Sequence, residues 1–415
     1  MTKTFRVGIV GGSLVGTAAA VLLRRHGHEV TVFERSTGAL EDRGAGLGLP
    51  QTFLDELAAA DLVDPGARGL RSSTERVFAV NDGDSPLGRV VGTQPMVVEM
   101  QHWGLVYQQI NARAGDVDIR RGTSVAAVVP GEHRSAVHLE SGAVEEFDLV
   151  VGADGYRSRV RTDLFPDARL EYGGYPVWRG VVDESAIPDI TPVEDSFQSI
   201  GTPRGGTAIY LVPGRGGERE KGRRRLNWAW YDGNVPAEVI GTEYDEQGRV
   251  SRVRTVAAGE PVPPEMREYL RAAATEHLPP WHREIVLNTP DVAVQGIWDL
   301  ELEHYVNGTA VLMGDAGSVA RPHTASGAVK GLQDAMALAR LVGESGSLPE
   351  ALAGYDAERP QAAAALVAVG RVFGTQQVLD TPDFHDMDQA GFDAWIAQGA
   401  SAMHYAFRQQ APAPA

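Results

Sequence analysis

Three carboxylates in this chain stand where an open sheet could use them to hold a ligand. Glu34, Asp154 and Asp315 each follow a short run rich in valine, isoleucine or leucine. Such runs are typical of buried parallel strands. Open α/β sheets bind ligands at the carboxyl ends of their parallel strands, so each of the three acids is a candidate ligand-binding group.

The segment that ends at Glu34 has the parts of a nucleotide-binding site. Residues 4–35 read, in order, as a strand, a glycine turn, an apolar helix, a second strand and an acid, which is the order of a dinucleotide-binding βαβ unit. Gly11 allows the tight turn, Gly16 lets the helix pack closely on the strand, and free amides at the helix start can bind a pyrophosphate. Ser13 replaces the usual middle glycine and is small enough to be tolerated. Glu34 can accept hydrogen bonds from both ribose hydroxyls.

Two other interpretations of this segment remain. A secretory signal peptide also carries basic residues before an apolar core, and an ordinary βα turn also contains glycine. The internal glycines and the Arg24-Arg25 pair after the apolar run argue against the signal peptide.

Composition restricts the class of protein. The chain has 415 residues, of which 43% are hydrophobic, and this length suggests two or three globular units. The net charge of −17 argues against nucleic acid or an anionic membrane as a partner. The absence of cysteine excludes disulfides and thiolate metal sites, and no histidine and carboxylate cluster has the spacing of a metal site. Because no apolar run reaches the roughly 18 residues that span a bilayer, we expect a cytoplasmic protein, and a homo-oligomer is left open.

The pattern of apolar, aromatic, glycine and proline residues along the chain predicts an α/β fold. In this fold, a Rossmann-type nucleotide-binding domain carries an inserted antiparallel β-sheet domain and C-terminal helices. Aromatic, alternating runs between glycine and proline turns indicate the sheet. A helix from Ser326 to Leu341 follows Asp315, and Pro360 should break or kink the next helix. The expected domains are 1–170 and 301–380 for nucleotide binding, 171–300 for the sheet and 381–415 for a helical tail.

Three motifs, in order, carry a resemblance to a known family. They are the turn Gly11-Gly12-Ser13, the loop DLVVGADGYRSRVR at 148–161, and VLMGDAGSVARPHTASGAVKGLQDA at 311–335. Together they resemble the single-component FAD-dependent aromatic hydroxylases, within them the branch that acts on dihydroxypyridines. The segments YPVWRGVV and LNWAWY also resemble that branch. One feature differs, because Ser318 stands where many members carry histidine.

The resemblance implies both a reaction and roles for individual residues. NAD(P)H would reduce noncovalently bound FAD, O2 would form a flavin C4a-hydroperoxide, and an electron-rich aromatic small molecule would take one oxygen atom. Asp154 would help to bind FAD, and its loop would also meet NAD(P)H during reduction. Asp315 would hold the ribitol chain, and Pro322 would line the place where oxygen adds. The amides of residues 327–329 would face the flavin, where a helix amino terminus stabilises negative charge. The expected cofactor contacts are Gly11, Ser13, Leu14, Gly16, Glu34, Arg35, Arg43, Gln101, Val125, Asp154, Asp315, Pro322, Gly327, Ala328 and Val329.

The substrate site is predicted less sharply. Alternation along LNWAWY places Asn227, Ala229 and Tyr231 on one face and Trp228 with Trp230 on the other, so one set lines the pocket. Removing a proton from a ring hydroxyl makes the ring richer in electrons, and we expect His323 to be the base, with a pKa near neutral. The expected substrate contacts are Arg179, Tyr210, Trp228, Tyr231 and His323, and the expected catalytic residues are His323, Pro322, Tyr231 and Tyr210.

Two alternative functions remain open. The first is a non-catalytic flavoprotein that binds an aromatic compound. The second is a flavin-dependent halogenase, although Trp228 and Trp230 run into Tyr231-Asp232-Gly233 and not into the isoleucine-proline step that halogenases normally show.

Overall fold

The computed structural model of the chain describes residues 4–38, 40 and 46–410. The strands, in chain order, are β1 (Arg6–Val10), β2 (Glu29–Glu34), β3 (Gly46–Leu49), β4 (Leu70–Val80), β5 (Arg89–His102), β6 (Asp118–Arg121), β7 (Val125–Val129), β8 (Ser135–Leu139), β9 (Val144–Phe147), β10 (Leu149–Gly152), β11 (Glu171–Asp183), β12 (Ser196–Thr202), β13 (Gly205–Val212), β14 (Arg225–Asp232), β15 (Glu243–Tyr244), β16 (Val250–Arg252), β17 (Ala293–Asp299), β18 (Val306–Asn307) and β19 (Ala310–Leu312). The helices are α1 (Leu14–Arg25), α2 (Gln51–Ala59), α3 (Trp103–Ala112), α4 (Arg159–Leu164), α5 (Pro264–His277), α6 (Pro280–Leu287), α7 (Gly327–Glu344), α8 (Leu348–Gly374) and α9 (Gln389–Gln410).

The first sheet has six strands in the order β18-β19-β10-β1-β2-β6. All neighbours are parallel except β18 and β19, which are antiparallel. The central strands are apolar and buried on both faces, as expected of a parallel sheet covered by helices. Its topology brings Glu34, Asp154 and Asp315 to one edge, because each follows a parallel strand. This confirms the Rossmann-type fold predicted from the sequence.

The second sheet has eight strands in the order β17-β11-β14-β13-β12-β4-β5-β3. Three of them come from residues 46–102, so the boundary expected at residue 171 does not describe the sheet. The sheet is also not wholly antiparallel, since β4 and β12 pair in parallel. The cause of both differences is long-range pairing: β4 and β5 form a hairpin whose neighbour β12 lies more than 100 residues later in the chain, and no local pattern shows this.

The two faces of the second sheet have different coverings. One face packs under α5 and α6, where Trp178, Trp228 and Trp230 are almost fully buried. The other face, which we call the substrate face, carries Asn227, Ala229 and Tyr231. Directly paired residues on neighbouring strands point to the same side, so Arg179 and Tyr210 also belong to the substrate face.

The C-terminal helices close the substrate face. Pro360 lies inside α8 without breaking it, contrary to expectation, and a π-helical turn, Thr375–Leu379, continues α8. By length and composition Leu348–Leu379 could cross a membrane, which corrects the expectation that no such segment exists, yet much of it is buried inside the protein. Beyond it, α9 packs Phe392 and Trp395 on Phe78 of β4.

Candidate active site

A cavity of about 690 Å³ lies at the edge of the first sheet where the three acids converge. Two helix amino termini open into it, those of α1 and α7. Helix amino termini present unpaired backbone N–H groups and partial positive charge, and they bind anions and electron-rich groups. The cavity lining includes Gly11, Ser13, Leu14, Glu34, Arg35, Val125, Asp154, Asp315, Gly327 and Ala328, all of which the sequence predicted as cofactor contacts.

The start of α1 is shaped by two glycines. Gly11 has φ +104°, and a Cβ there would lie 2.4 Å from the Ala153 carbonyl oxygen. A Cβ on Gly16 would lie 1.9 Å from the Gly11 carbonyl oxygen, so the helix and the turn are in direct contact. Ser13 makes no side-chain capping bond, and the first amides of α1 have no acceptor in the described part of the chain. They remain available to a phosphate.

Glu34 fixes the same turn from the neighbouring strand. Its carboxylate is buried and accepts hydrogen bonds from the backbone amides of Gly12 and Ser36, both at 2.8 Å. A carboxylate oxygen can accept more than one hydrogen bond. Glu34 therefore holds the turn and still has acceptor capacity for the ribose hydroxyls that the sequence assigned to it.

The start of α7 is equally open. Ala325 adopts a left-handed conformation with φ +52°, and the Ser326 hydroxyl donates to the Thr324 carbonyl and not to the helix. The amides of residues 327–329 therefore have no acceptor among the described residues. A non-glycine residue in this conformation stores strain, and such strain concentrates at functional sites. The Val329 side chain itself points into the core.

Asp154 and Asp315 line the cavity in different ways. Asp154 accepts hydrogen bonds from the Ser158 hydroxyl at 2.5 Å and from the Arg159 amide at 2.6 Å, so it caps α4. Burial raises the pKa of Asp154, and these hydrogen bonds oppose the shift. Asp315 accepts no hydrogen bond from any described residue and is exposed to the cavity. The surrounding protein raises the pKa of Asp315, opposed by Lys330. The Asp315 carboxylate therefore has more unused acceptor capacity for a ligand than the Asp154 carboxylate has.

A buried cation supports the loop that carries Asp315. Lys330 Nζ donates to the carbonyl oxygens of Gly314 at 2.6 Å and Ser318 at 3.1 Å. Asp334 accepts from the Gly314 amide at 2.9 Å and pairs with Lys330 at 3.4 Å. At the position where the family often has histidine, the Ser318 hydroxyl accepts a hydrogen bond from Tyr305 at 2.6 Å. A tyrosine and a lysine therefore both bind Ser318, through its hydroxyl and its carbonyl oxygen.

These residues fit a bound FAD. The backbone amides at the starts of α1 and α7 face one cavity and have no acceptor among the residues that the structure describes. The α1 amides suit a pyrophosphate, and the α7 amides suit the electron-rich edge of an isoalloxazine.

Five of the predicted cofactor contacts stand apart from the cavity lining. Gly16 packs behind it, as its predicted role requires. Gln101 is buried on β5, Val329 lies in the core, and Pro322 is exposed in the turn before α7. Arg43 lies outside the described residues.

The turn Pro322–Thr324 joins this cavity to the substrate face. The His323 Nε2 and the Tyr175 hydroxyl oxygen are 2.8 Å apart, and the His323 and Tyr231 ring centroids are 4.2 Å apart. Tyr175 lies in a bulge of β11, which turns its side chain toward this loop. The Arg321 guanidinium lies 5.8 Å from the Tyr175 ring centroid and is held by Asp299 at 2.8 Å.

His323 does not have the near-neutral pKa that the sequence analysis expected. Burial lowers the pKa of His323 to about 3, and the positive charge of Arg321 acts in the same direction. Burial also raises the pKa of Tyr231 to about 12 and that of Tyr210. The three side chains are therefore neutral at physiological pH and serve as hydrogen-bonding groups.

One predicted substrate contact is wrong. Trp228 lies on the face covered by α5 and α6, is fully buried, and donates its indole N–H to the Thr289 hydroxyl at 2.8 Å. Alternation along β14 sends it away from Tyr231. Tyr231, Tyr210 and Arg179 all lie on the substrate face, and the positive charge of Arg179 opposes the rise in the pKa of both tyrosines.

Comparison with known proteins agrees with this geometry. Residues 9–39 match a NAD(P)-binding Rossmann-like domain, and residues 172–299 match a family described as FAD binding domain-like. The 2,6-dihydroxypyridine 3-monooxygenase of Paenarthrobacter nicotinovorans is 28% identical over 86% of this chain and 88% of its own length. The 3-amino-4-hydroxybenzoate 2-monooxygenase of Streptomyces cremeus is 27% identical over 93% and 91%. The structure of 2,6-dihydroxypyridine-3-hydroxylase from Arthrobacter nicotinovorans superposes with a TM-score of 0.78 at 24% identity, covering 94% of this chain and 97% of that chain.

Sequence reasoning missed several residues of the site. Trp103 at the start of α3 lines the cavity, and its ring stacks on Tyr107 with centroids 5.3 Å apart. Arg161 joins the loop that carries Asp154 to the loop that carries Asp315, because it donates to the carbonyl oxygens of Tyr156 and Ala316. Lys330 was also missed. The sequence did offer a signal for it, because lysine is rare in this chain and Lys330 directly follows the three amides predicted to face the flavin.

Proposed function

We propose that this chain, which is an FAD-dependent aromatic monooxygenase, hydroxylates an electron-rich ring of the hydroxypyridine or phenol type. The observation that carries the proposal is the position of the Pro322–Thr324 turn, which contacts Tyr231 on the substrate face through His323 and leads directly into the open amides of α7 at the cofactor cavity. A ring bound on the substrate face would therefore lie beside the reactive edge of the cofactor.

The cofactor roles follow from the cavity. The open amides of α1 would hold the pyrophosphate of FAD, Glu34 its ribose, Asp315 its ribitol chain, and the α7 amides its flavin ring. Bound FAD, once reduced by NAD(P)H, supplies the activation of O2 for transfer of one oxygen atom to the ring.

The substrate roles follow from charge and hydrogen bonding. Arg179 donates to Gln295 at 2.8 Å, and no carboxylate among the described residues pairs with it. Its positive charge would lower the pKa of a nearby ring hydroxyl, and the ionised ring is richer in electrons. The linked pair Tyr175 and His323 would bind the ring hydroxyl or its proton, with Tyr210 and Tyr231 as further hydroxyl donors.

The direct test is NAD(P)H oxidation by the FAD-loaded protein with a panel of hydroxypyridines and phenols. We expect at least one ring to accelerate NADH or NADPH oxidation and to be recovered with an added hydroxyl group. A non-catalytic flavoprotein would bind such rings without consuming NAD(P)H, and that result would overturn the proposal. We also expect the flavin to be released by acid precipitation, as a noncovalent cofactor should be.

The same proposal gives the setting of the protein. NAD(P)H as the electron donor suggests the cytoplasm. An aromatic small molecule is the expected partner, with no role for nucleic acid, a membrane or a metal, and self-association remains open.

A further inference from the structure

Arg76 on β4 is a largely desolvated arginine that lacks an acid. Its Nε donates to the Ser199 hydroxyl at 3.0 Å, and its guanidinium carbon lies 5.8 and 5.9 Å from the ring centroids of Phe78 and Phe197. Among the residues that the structure describes, no carboxylate lies within ion-pair distance of it and no other hydrogen-bond acceptor contacts it. Burial lowers the pKa of Arg76 to about 10, which still leaves it charged at neutral pH.

Other arginines with little exposed side chain have stronger acceptors than Arg76 has. Arg224 pairs with a glutamate at 2.6 Å, Arg321 with an aspartate at 2.8 Å, and Arg359 with an aspartate at 2.7 Å. Arg161 has no such carboxylate in the described part of the chain, and it donates instead to the backbone carbonyl oxygens of Ala316 and Tyr156. A desolvated charge without a counterion is costly, and a bound anion can supply the missing counterion. Arg76 has a single neutral hydroxyl as its acceptor among the described residues, although the protein has an excess of acids and a net charge of −17.

Register and contacts place the Arg76 guanidinium on the substrate face. Arg76 pairs with Phe197 across β4 and β12, and the Phe197 ring stacks on that of Tyr210 with centroids 5.1 Å apart. The bond to Ser199 draws the side chain onto the neighbouring strand and two residues along it, toward the level of Tyr231. Its charge also reaches His323, because it contributes to lowering the pKa of that side chain.

A second polar group stands beside the guanidinium. Gln94 on β5 pairs directly with Arg76, so both side chains project to the same face. The Gln94 Oε1 atom is buried and has no hydrogen-bond partner in the described part of the chain. Arg76 therefore offers a guanidinium group beside two phenylalanine rings, and Gln94 offers an unused hydrogen-bond acceptor next to it.

We propose that Arg76 binds a carboxylate on the substrate ring, so that the substrate is a hydroxylated aromatic acid, with Gln94 accepting a neighbouring hydroxyl. This inference rests on the proposed function, since the ring must lie on the substrate face. A guanidinium pairs with a carboxylate through two parallel hydrogen bonds, and its planar fork is the side chain best suited to that geometry. Ser199 and the two phenylalanine rings already hold the fork in place, so little side-chain entropy is lost when the acid binds.

The test compares salicylate with salicylamide, which differ in the charged group alone. Binding to the FAD-loaded protein is followed through perturbation of the flavin absorption spectrum, in the wild type, Arg76→Met and Arg76→Lys. We expect the wild type to bind salicylate roughly 10- to 100-fold more tightly than salicylamide, the range of one or two charged hydrogen bonds. Arg76→Met should lose that preference with salicylamide binding unchanged within about twofold, and Arg76→Lys should keep part of it. Arg224→Met, which removes an arginine already paired with Glu184, should keep all of it.

Three outcomes would overturn the proposal. They are a wild type that binds both compounds equally, a wild type that binds neither, and an Arg76→Met variant that weakens both compounds to the same extent, since the last would indicate a packing role. The spectrum reports binding and not turnover, so a lost charge preference leaves the proposed hydroxylation standing. Conversely, the binding result is unaffected if no ring stimulates NAD(P)H oxidation.

Discussion

The Tyr175 hydroxyl oxygen and the His323 Nε2 atom lie 2.8 Å apart and join the second sheet to the Pro322–Thr324 turn that precedes α7. Tyr175 reaches this position from a bulge in β11. Helix α8 leaves room for it, because a Cβ on Gly374 would lie 2.4 Å from the Tyr175 hydroxyl. The pair therefore depends on three separate segments of chain, and it links the substrate face to the turn before α7.

We expect His323→Gln and Tyr175→Phe to uncouple the reaction. Reduction of FAD by NAD(P)H should persist, while hydroxylated product falls roughly tenfold, the effect of one lost hydrogen bond of about 1.5 kcal/mol, and hydrogen peroxide rises. Stopped-flow reduction, product yield and peroxide assays measure the three quantities. Since the pKa of His323 is lowered from 6.5 to about 3, the wild-type rate should show no inflection near neutrality that belongs to this residue. An inflection that disappears in His323→Gln would restore the catalytic base.

Two glycines should separate a structural role from a cofactor role. Gly16→Ala places a methyl group 1.9 Å from the Gly11 carbonyl oxygen, so we expect a loss of stability of about 1–3 kcal/mol together with loss of FAD. Gly327→Ala meets no protein atom within 4 Å. It should leave the unfolding of the apoprotein unchanged yet weaken FAD binding, because the flavin would occupy that space. Thermal unfolding and FAD titration measure the two effects, and a Gly327→Ala variant with wild-type FAD affinity would place the flavin elsewhere.

Lys330 should be essential to the loop that holds Asp315. Lys330→Met removes a buried cation and leaves the Gly314 and Ser318 carbonyl oxygens without their donor. Breaking a buried charge network by removing one partner costs about 3–5 kcal/mol. The matched control is Lys221→Met, whose side chain is 67% exposed and should contribute little. Chemical denaturation of both variants tests this prediction, and equal stabilities would show that the Lys330 network does not hold the loop.

His282 should make the protein sensitive to acid. It is fully buried, neither ring nitrogen has a partner among the described residues, and burial lowers its pKa from 6.5 to about 3. Between these two pH values, His282 is protonated in the unfolded chain and neutral in the folded chain. The free energy of unfolding therefore falls as the pH drops from 6.5 toward 3, by about 1.4 kcal/mol per pH unit. His282→Leu should reduce this slope, measured by denaturation at several pH values. An unchanged slope would mean that His282 is not buried as a neutral ring.

The cofactor half of the site could be predicted from local sequence because its parts are local. The turn at Gly11 joins β1 to α1, Glu34 ends β2, and the open start of α7 follows β19, so each lies close in sequence to the strand that positions it. The confirmed alternation along β14 is local in the same sense, and it separated Tyr231 from Trp228 correctly even though it could not say which face was covered.

The substrate half could be predicted only in part. Arg179, Tyr210 and Tyr231 were expected there and lie on the substrate face, whereas other residues reach that face only through long-range pairing. Arg76 and Gln94 lie in segments that seemed to belong to the nucleotide domain, and the parallel pairing of β4 with β12 brings them to the substrate face. The pKa of His323 likewise depends on burial and on Arg321, and spacing along the chain shows neither.

Oxygen transfer is the central claim, and labelled O2 tests it most directly. The FAD-loaded protein is supplied with NAD(P)H, a hydroxylated aromatic ring and isotopically labelled O2, and the product is analysed by mass spectrometry. We predict one labelled oxygen atom in the ring product and the other in water. A product without label, or ring-dependent NAD(P)H oxidation that yields hydrogen peroxide alone with every ring tested, would contradict the account.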